Sequence, residues 1–129
     1  LNRKKNIATI KSLDGDLIKA MGRLSGGLYV ITASQNKDQS QRQSAMIASW
    51  VSQASFSPPG LTIAVAKDRA VEALLHKDDF FLLNILASGR QNKLMKQFLR
   101  PFSPGADRFE GIDFDLSPNE QPILPEALA

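Results

Sequence analysis

The sequence contains no cysteine and a single histidine, His76. Thiol nucleophiles and thiolate metal sites are therefore excluded, and one imidazole cannot build a multi-histidine metal cage. No apolar run approaches the roughly 20 residues needed to cross a bilayer. The basic opening, Leu1-Asn2-Arg3-Lys4-Lys5, is not followed by the apolar segment of a signal peptide. A cytoplasmic chain without membrane insertion is the expectation. Glycine-rich phosphate loops of the dinucleotide and nucleoside-triphosphate types are also missing, so a Rossmann nicotinamide site is not supported. Aromatic residues are few, with one Trp, one Tyr and seven Phe in 129 residues. That scarcity weighs against a basic barrel reading single-stranded nucleic acid, which needs exposed aromatic platforms along a charged groove.

What remains has the composition of one soluble domain, 43% hydrophobic and 22% charged. At this size a single core can bury about two-thirds of the unfolded surface, so no covalent staple is required. The net charge of +3 hides a split. Residues 1–106 hold 15 Lys/Arg against seven Asp/Glu, whereas residues 107–129 hold one Arg against six acids. A basic body of this kind suits either a polyanion or separate small phosphates.

The hydrophobic pattern predicts mostly strands. Asp14 is placed to cap a short helix running to about Leu24, with Leu17, Ile18, Met21 and Leu24 on one face. Leu28–Ala33, Ala45–Val51, Leu61–Ala66 and Phe80–Leu86 read as strands, with Ile112–Leu116 as a fifth. Gln35–Gln43 is polar throughout and reads as an exposed hairpin-like loop, and Pro58-Pro59-Gly60 as a firm turn. Short helices are expected over Ala70–His76 and Asn92–Leu99. Frequent turns and short interposed helices favour an antiparallel barrel over a doubly wound parallel sheet. Pro122-Ile123-Leu124-Pro125 is too short to close such a barrel, so the expectation is one domain over 1–129, truncated at its C-terminal end and part of a longer chain.

Three stretches can carry chemistry. In Ala45–Gly60 the small residues Ala45, Ala48 and Ser49 leave room for a flat ring against a strand, and Ser52, Gln53 and Ser55 follow with hydroxyl and amide groups. The same stretch reads equally as a buried strand entering a Ser-rich turn. Lys67 and Arg69 stand beside the start of the expected Ala70–His76 helix, a suitable monophosphate site, or simply an exposed charged turn capped by Asp68. Asn84 interrupts an apolar run and must bond either a ligand edge or backbone within the sheet. Asp107-Arg108-Phe109 could bring a guanidinium to a pocket mouth, or form an exposed ion pair.

Taken in order, Ala48–Gly60, Ala64–Glu72 and Phe81–Leu86 resemble the flavin reductase family, whose fold is the FMN-binding split β-barrel. The resemblance runs from about Gly22 to Ala129. It is strongest to the C-terminal flavin reductase domain of the flavodiiron (diflavin) proteins of oxygenic phototrophs, where Phe102–Gly111 also has a counterpart. It implies a mainly β fold with short helices, FMN as cofactor, NAD(P)H as hydride donor, and a homodimer. It further implies di-iron and flavodoxin-like domains in the same longer chain, with the di-iron centre as the oxygen-reducing site. The flavin-site residues it implies are Met46, Ala48, Ser49, Trp50, Ser52, Gln53, Ser55, Lys67, Arg69, Ala70 and Asn84. No catalytic acid or base and no metal ligand is assigned, because flavin and nicotinamide carry hydride transfer between them. A flavin-binding barrel without reductase activity and a nucleic-acid-binding barrel are the alternatives.

Overall fold

The computed structural model describes residues 15–21, 23–24, 26–37, 40–76, 79–87, 89, 92–103 and 105–129. A helix, α1, covers residues 15–21. Strands β1 (Tyr29–Lys37), β2 (Ser40–Ala48), β3 (Val51–Phe56) and β4 (Pro59–Ile63) follow. After a 3-10 turn at Glu72–Leu74 come β5 (Leu82–Ile85), helix α2 (Asn92–Leu99), and two-residue strands β6 (Asp115–Leu116) and β7 (Pro122–Ile123). The order β2-β1-β5 forms an antiparallel sheet, while β3-β4 and β6-β7 form separate two-stranded ladders. Among the described residues no barrel closes.

Strand β1 is the centre of this arrangement. Its β-branched run Val30-Ile31-Thr32 suits a pleated position, and Val30 to Ser34 are buried without interruption. Side chains alternate between two cores. Val30, with Ala45 of β2, joins Leu86, Leu94, Phe98, Phe109, Ile112 and Leu124 on one face. Ile31 and Ala33 join Ala48, Val71 and Leu74 on the other. Helix α2 covers the first face through Leu94 and Phe98, each such burial contributing about 1.5–3 kcal/mol.

Two side-chain amides fasten the C-terminal segment to the sheet. Asn84 is 4% exposed, and its Nδ2 donates to the Val30 carbonyl at 3.1 Å and to Thr32 Oγ1 at 3.2 Å. Its Oδ1 accepts from the Leu124 N–H at 3.0 Å. Gln121 pairs with the Ser34 backbone in both directions, accepting at 2.7 Å and donating at 3.1 Å. Thr32 Oγ1 also donates to the Pro122 carbonyl.

Several boundaries differ from those predicted. Gln35, Asn36 and Lys37, and Ser40 to Gln43, are not loop but the outer half of the β1–β2 ladder, paired through Lys37↔Ser40. A hairpin arm with polar side chains on both faces shows no burial periodicity in sequence. Ala45–Val51 is not one strand: Ser49 and Trp50 leave the ladder, and Val51 opens β3. The Trp50 carbonyl accepts from the Ala64 N–H at 3.0 Å, extending the β3–β4 hairpin to this corner. Gly26 packs against it so closely that a Cβ there would lie 2.9 Å from the Ser49 carbonyl oxygen. Ala70–His76 is shortened to the single 3-10 turn, since Leu75 leaves helical geometry at φ −111°, ψ 73°. Asn92–Leu99 is helical as predicted. Asp14 lies outside the described residues, and the apolar stripe Leu17, Ile18, Met21 and Leu24 faces outward, exposed.

Replacing Asn84 by Leu removes three buried hydrogen bonds and leaves the Leu124 N–H without a partner. The expected loss in urea unfolding is about 1–3 kcal/mol; a change below about 0.5 kcal/mol would mean the amide is dispensable. Ala48→Leu should overpack the cluster around Ile31 and Val71, lowering stability by about 1–3 kcal/mol. An unaltered melting temperature would show that this Cβ is free of the core.

Candidate functional site

The corner at Ser49-Trp50 opens onto a cleft of about 410 Å³, within the range of small-molecule sites. Five consecutive residues, Met46 to Trp50, line it. On a strand such neighbours point to opposite faces, so the cleft follows the border of β2 rather than one face. Because β2 is an edge strand of its sheet, alternate backbone N–H and C=O groups point outward there and can meet a ligand. Opposite stand Ala64, Val65 and Ala66, which leave β4, with Arg69 from the following turn. Phe98 and Leu99 at the end of α2, and Arg108, complete the wall.

Ala48 and Ser49 on the β2 side, and Ala64 and Ala66 opposite, bring small side chains to the cleft. Trp50, 71% exposed, stands at its border. Ala48 packs into the core with Ile31, Val71 and Leu74. Its contribution to the cleft is accordingly chiefly backbone.

The two guanidiniums give the cleft its charge. Among the described residues no acid lines it. Among the described residues the ion pairs are Lys19–Asp16 and Lys93–Glu126, so neither Arg69 nor Arg108 is in one. Arg108 is only 8% exposed. Its guanidinium lies over the Phe102 ring, 4.1 Å from the centroid, and Arg100 lies over the same ring at 4.8 Å. Burial, and then the like charge of Arg69, hold the Arg108 pKa below its ordinary value. A guanidinium nevertheless stays protonated.

The loop carrying Arg108 is held from the core side. Phe109 meets Phe98 edge-on at 5.7 Å and Phe114 at 4.9 Å. Gln97 Nε2 donates to the carbonyls of Arg108 (2.9 Å) and Glu110 (3.2 Å). Asp107 Oδ1 accepts from the Phe109 N–H at 2.9 Å. The exposed Asp107–Arg108 ion pair weighed from sequence is therefore absent: the carboxylate caps backbone and the guanidinium turns inward to the cleft.

Of the residues singled out from sequence, Met46, Ala48, Ser49, Trp50 and Arg69 come together here. Ser52, Gln53 and Ser55 sit on the β3–β4 hairpin and do not line the cleft. Ser52 Oγ has only a long contact of 3.5 Å to the Gln53 carbonyl. Lys67 and Ala70 are exposed on the turn beside Arg69, outside the lining. No α-helix start stands beside Lys67, because only the 3-10 turn forms. Asn84 is spent on the sheet. Sequence reasoning missed the apolar wall, Ile47, Ala64, Val65, Ala66, Phe98 and Leu99, whose residue types resemble any core. Arg108 had a signal in its motif but not its burial.

Residues 21–129 match the family described as "Flavin reductase like domain". The chain is 57% identical over 123 residues to diflavin flavoprotein A 1 of Synechocystis sp., covering 95% of this chain and 21% of that protein. It thus spans about one-fifth of that relative's length. Among solved structures it is similar to the NADH:FAD oxidoreductase SgcE6 of Streptomyces globisporus, at 26% identity and a TM-score of 0.74, over 87% of this chain and 64% of that one. Nitrilotriacetate monooxygenase component B of Mycobacterium thermoresistibile shares the fold, with a TM-score of 0.73 at 21% identity over 92% and 62% of the two chains. These likenesses support a flavin oxidoreductase role and the split-barrel fold. No helix among the described residues is long and apolar enough to cross a membrane. The chain belongs to the flavin reductase like domain family.

Proposed function

We propose that the cleft between the β2 border and the Ala64–Arg69 segment binds FMN, and that the domain reduces it with NAD(P)H. The observation carrying this reading is a cleft edged by the small residues Ala48, Ser49, Ala64 and Ala66, together with two guanidiniums that have no carboxylate partner among the described residues. An uncharged ring needs the first and a phosphate the second. Bound FMN supplies the redox chemistry, accepting hydride and releasing electrons onward. The outward backbone groups of β2 are suited to an imide edge, and Trp50 and Leu99 to shielding a ring from water. Arg69 is the cation for the phosphate; Lys67, Ser52, Gln53 and Ser55, further along the surface, are adjuncts.

In the longer protein the domain is the electron-input module of a cytoplasmic flavodiiron oxygen reductase, delivering electrons to di-iron and flavodoxin-like domains of the same chain. It works as a homodimer. Trp50 and Phe56 are 71% and 83% exposed, and Leu61 and the apolar stripe of α1 are exposed as well. Apolar surface of that extent on a soluble domain marks an interaction site.

The purified protein should be yellow and bleach on addition of NADH or NADPH without oxygen. Arg69→Ala should weaken FMN about 10- to 100-fold, the loss of one charge-assisted bond. Lys67→Ala should cost less and riboflavin affinity should hold in both; equal losses for FMN and riboflavin would remove the phosphate assignment. Light scattering across a dilution series should give a dimer. A flavin-loaded monomer at tens of micromolar would refute the interface and leave the cofactor site standing.

A further inference from the structure

We propose that the exposed cationic stripe along helix α2, Lys93, Lys96 and Arg100, docks the acidic face of an electron-carrier protein beside the cleft. That the partner carries electrons rests on the functional reading above; the docking of an acidic surface does not.

Helix α2 divides its surface by residue type. Leu94 and Phe98 turn into the core, with Met95 packed against it. Lys93, Lys96 and Arg100 are exposed, and spacings of three and then four residues put them in one row. With Gln97, Gly111 and Ile112 they line a groove of about 460 Å³, which shares no lining residue with the cleft.

The chain's own carboxylates leave most of this stripe uncompensated. Among the described residues no acid lines the groove. Lys93 pairs with Glu126 at 3.8 Å, while Lys96 and Arg100 are in no ion pair among the described residues. Glu110, on the facing loop, is held through its carbonyl, which accepts from Gln97 Nε2. Its carboxylate joins none of those ion pairs.

The spread of the charge selects the occupant. Lys93 and Arg100 are seven residues apart, about 10 Å at a helical rise. One phosphate cannot reach both ends of such a row, whereas separate carboxylates on a folded surface can. Exposed lysines are compact, strongly hydrated charges that steer a partner more than they grip it. Single-stranded nucleic acid needs aromatic faces for stacking, and no aromatic residue lines the groove. Phe102, the ring under Arg100, is also held by Arg108. The same contact ties the stripe to the cleft, since Arg108 belongs to the cleft wall, as do Phe98 and Leu99 of α2. A partner seated on the stripe therefore lies beside the cleft.

Flavodoxin, a small acidic electron carrier, is the probe, with cytochrome c as a basic carrier for contrast. Labelled flavodoxin is titrated with the flavin-loaded chain by fluorescence anisotropy. The complex is then coupled with a carbodiimide, which joins lysine amines directly to carboxylates. Flavodoxin should bind at about 0.02 M salt and weaken at least about tenfold by about 0.3 M, with cross-links at Lys93 and Lys96. Cytochrome c should not bind. Lys93→Glu combined with Lys96→Glu should weaken flavodoxin about 10- to 100-fold, while flavin content and bleaching by NADH or NADPH hold. The cross-links are read on the unaltered chain, so they decide the matter even where the double variant does not fold. Flavodoxin affinity within about twofold in the folded variant, cross-links confined to other lysines, or equal binding of cytochrome c would overturn the docking surface. Tighter binding of labelled single-stranded DNA than of flavodoxin, lost in the variant, would assign the stripe to nucleic acid and equally overturn it. A flavin-loaded chain that does not bind flavodoxin at low salt ends the proposal and leaves the flavin reading standing. A chain that holds no flavin yet docks flavodoxin through Lys93 and Lys96 would end that reading and leave the docking surface standing.

Discussion

The burial of β1 on both faces is the constraint on which the rest depends. A strand covered on both sides must have each polar group within it satisfied, and Thr32 and Ser34 are satisfied only by residues far along the chain. Thr32 is held by Asn84 and Pro122, and Ser34 by Gln121. Those bonds draw β5 and the C-terminal segment onto one side of the sheet. Strand β2 is left at the opposite border, with its ladder to β1 on one edge and the cleft beside its last residues. The location of the site is thus a consequence of how the core strand is satisfied.

The same division explains why Phe109 and Arg108, neighbours in sequence, serve different ends. Phe109 completes the aromatic cluster under α2 and so fixes the loop. A residue adjacent to a buried anchor has little freedom, and Arg108 is thereby turned to the cleft. Packing on one side of the loop produces electrostatics on the other.

Much of this was legible in the sequence where burial imposes a pattern. The runs at Leu28–Ala33 and Phe80–Leu86, which contain the start of β1 and all of β5, helix α2, and a buried Asn84 needing partners are properties of local composition and periodicity. The corner at Ser49-Trp50 was not, because nothing in Ala45–Val51 breaks a strand; there Gly26 lies close against the Ser49 carbonyl and the Ala64 N–H bonds the Trp50 carbonyl, both distant in sequence. The helix expected over Ala70–His76 failed because burial of Val71 and Leu74 requires only one turn. Of the residues implied by the family resemblance, Met46, Ala48, Ser49, Trp50 and Arg69 line the cleft, whereas Ser52, Gln53 and Ser55 lie on the β3–β4 hairpin outside it. The placement of Arg108 depends on Phe102 and Gln97, contacts at different sequence separations that no local pattern encodes.

The only tryptophan of the chain, Trp50, lines this cleft, so its emission will respond to a flavin bound there. Titration of flavin-free protein with FMN, with protein fluorescence followed alongside flavin anisotropy, is the most direct test that the flavin lies here. The account predicts saturable quenching of Trp50 in step with flavin immobilisation, at one FMN per chain. Flavin that becomes immobilised while Trp50 emission is unaltered would contradict it.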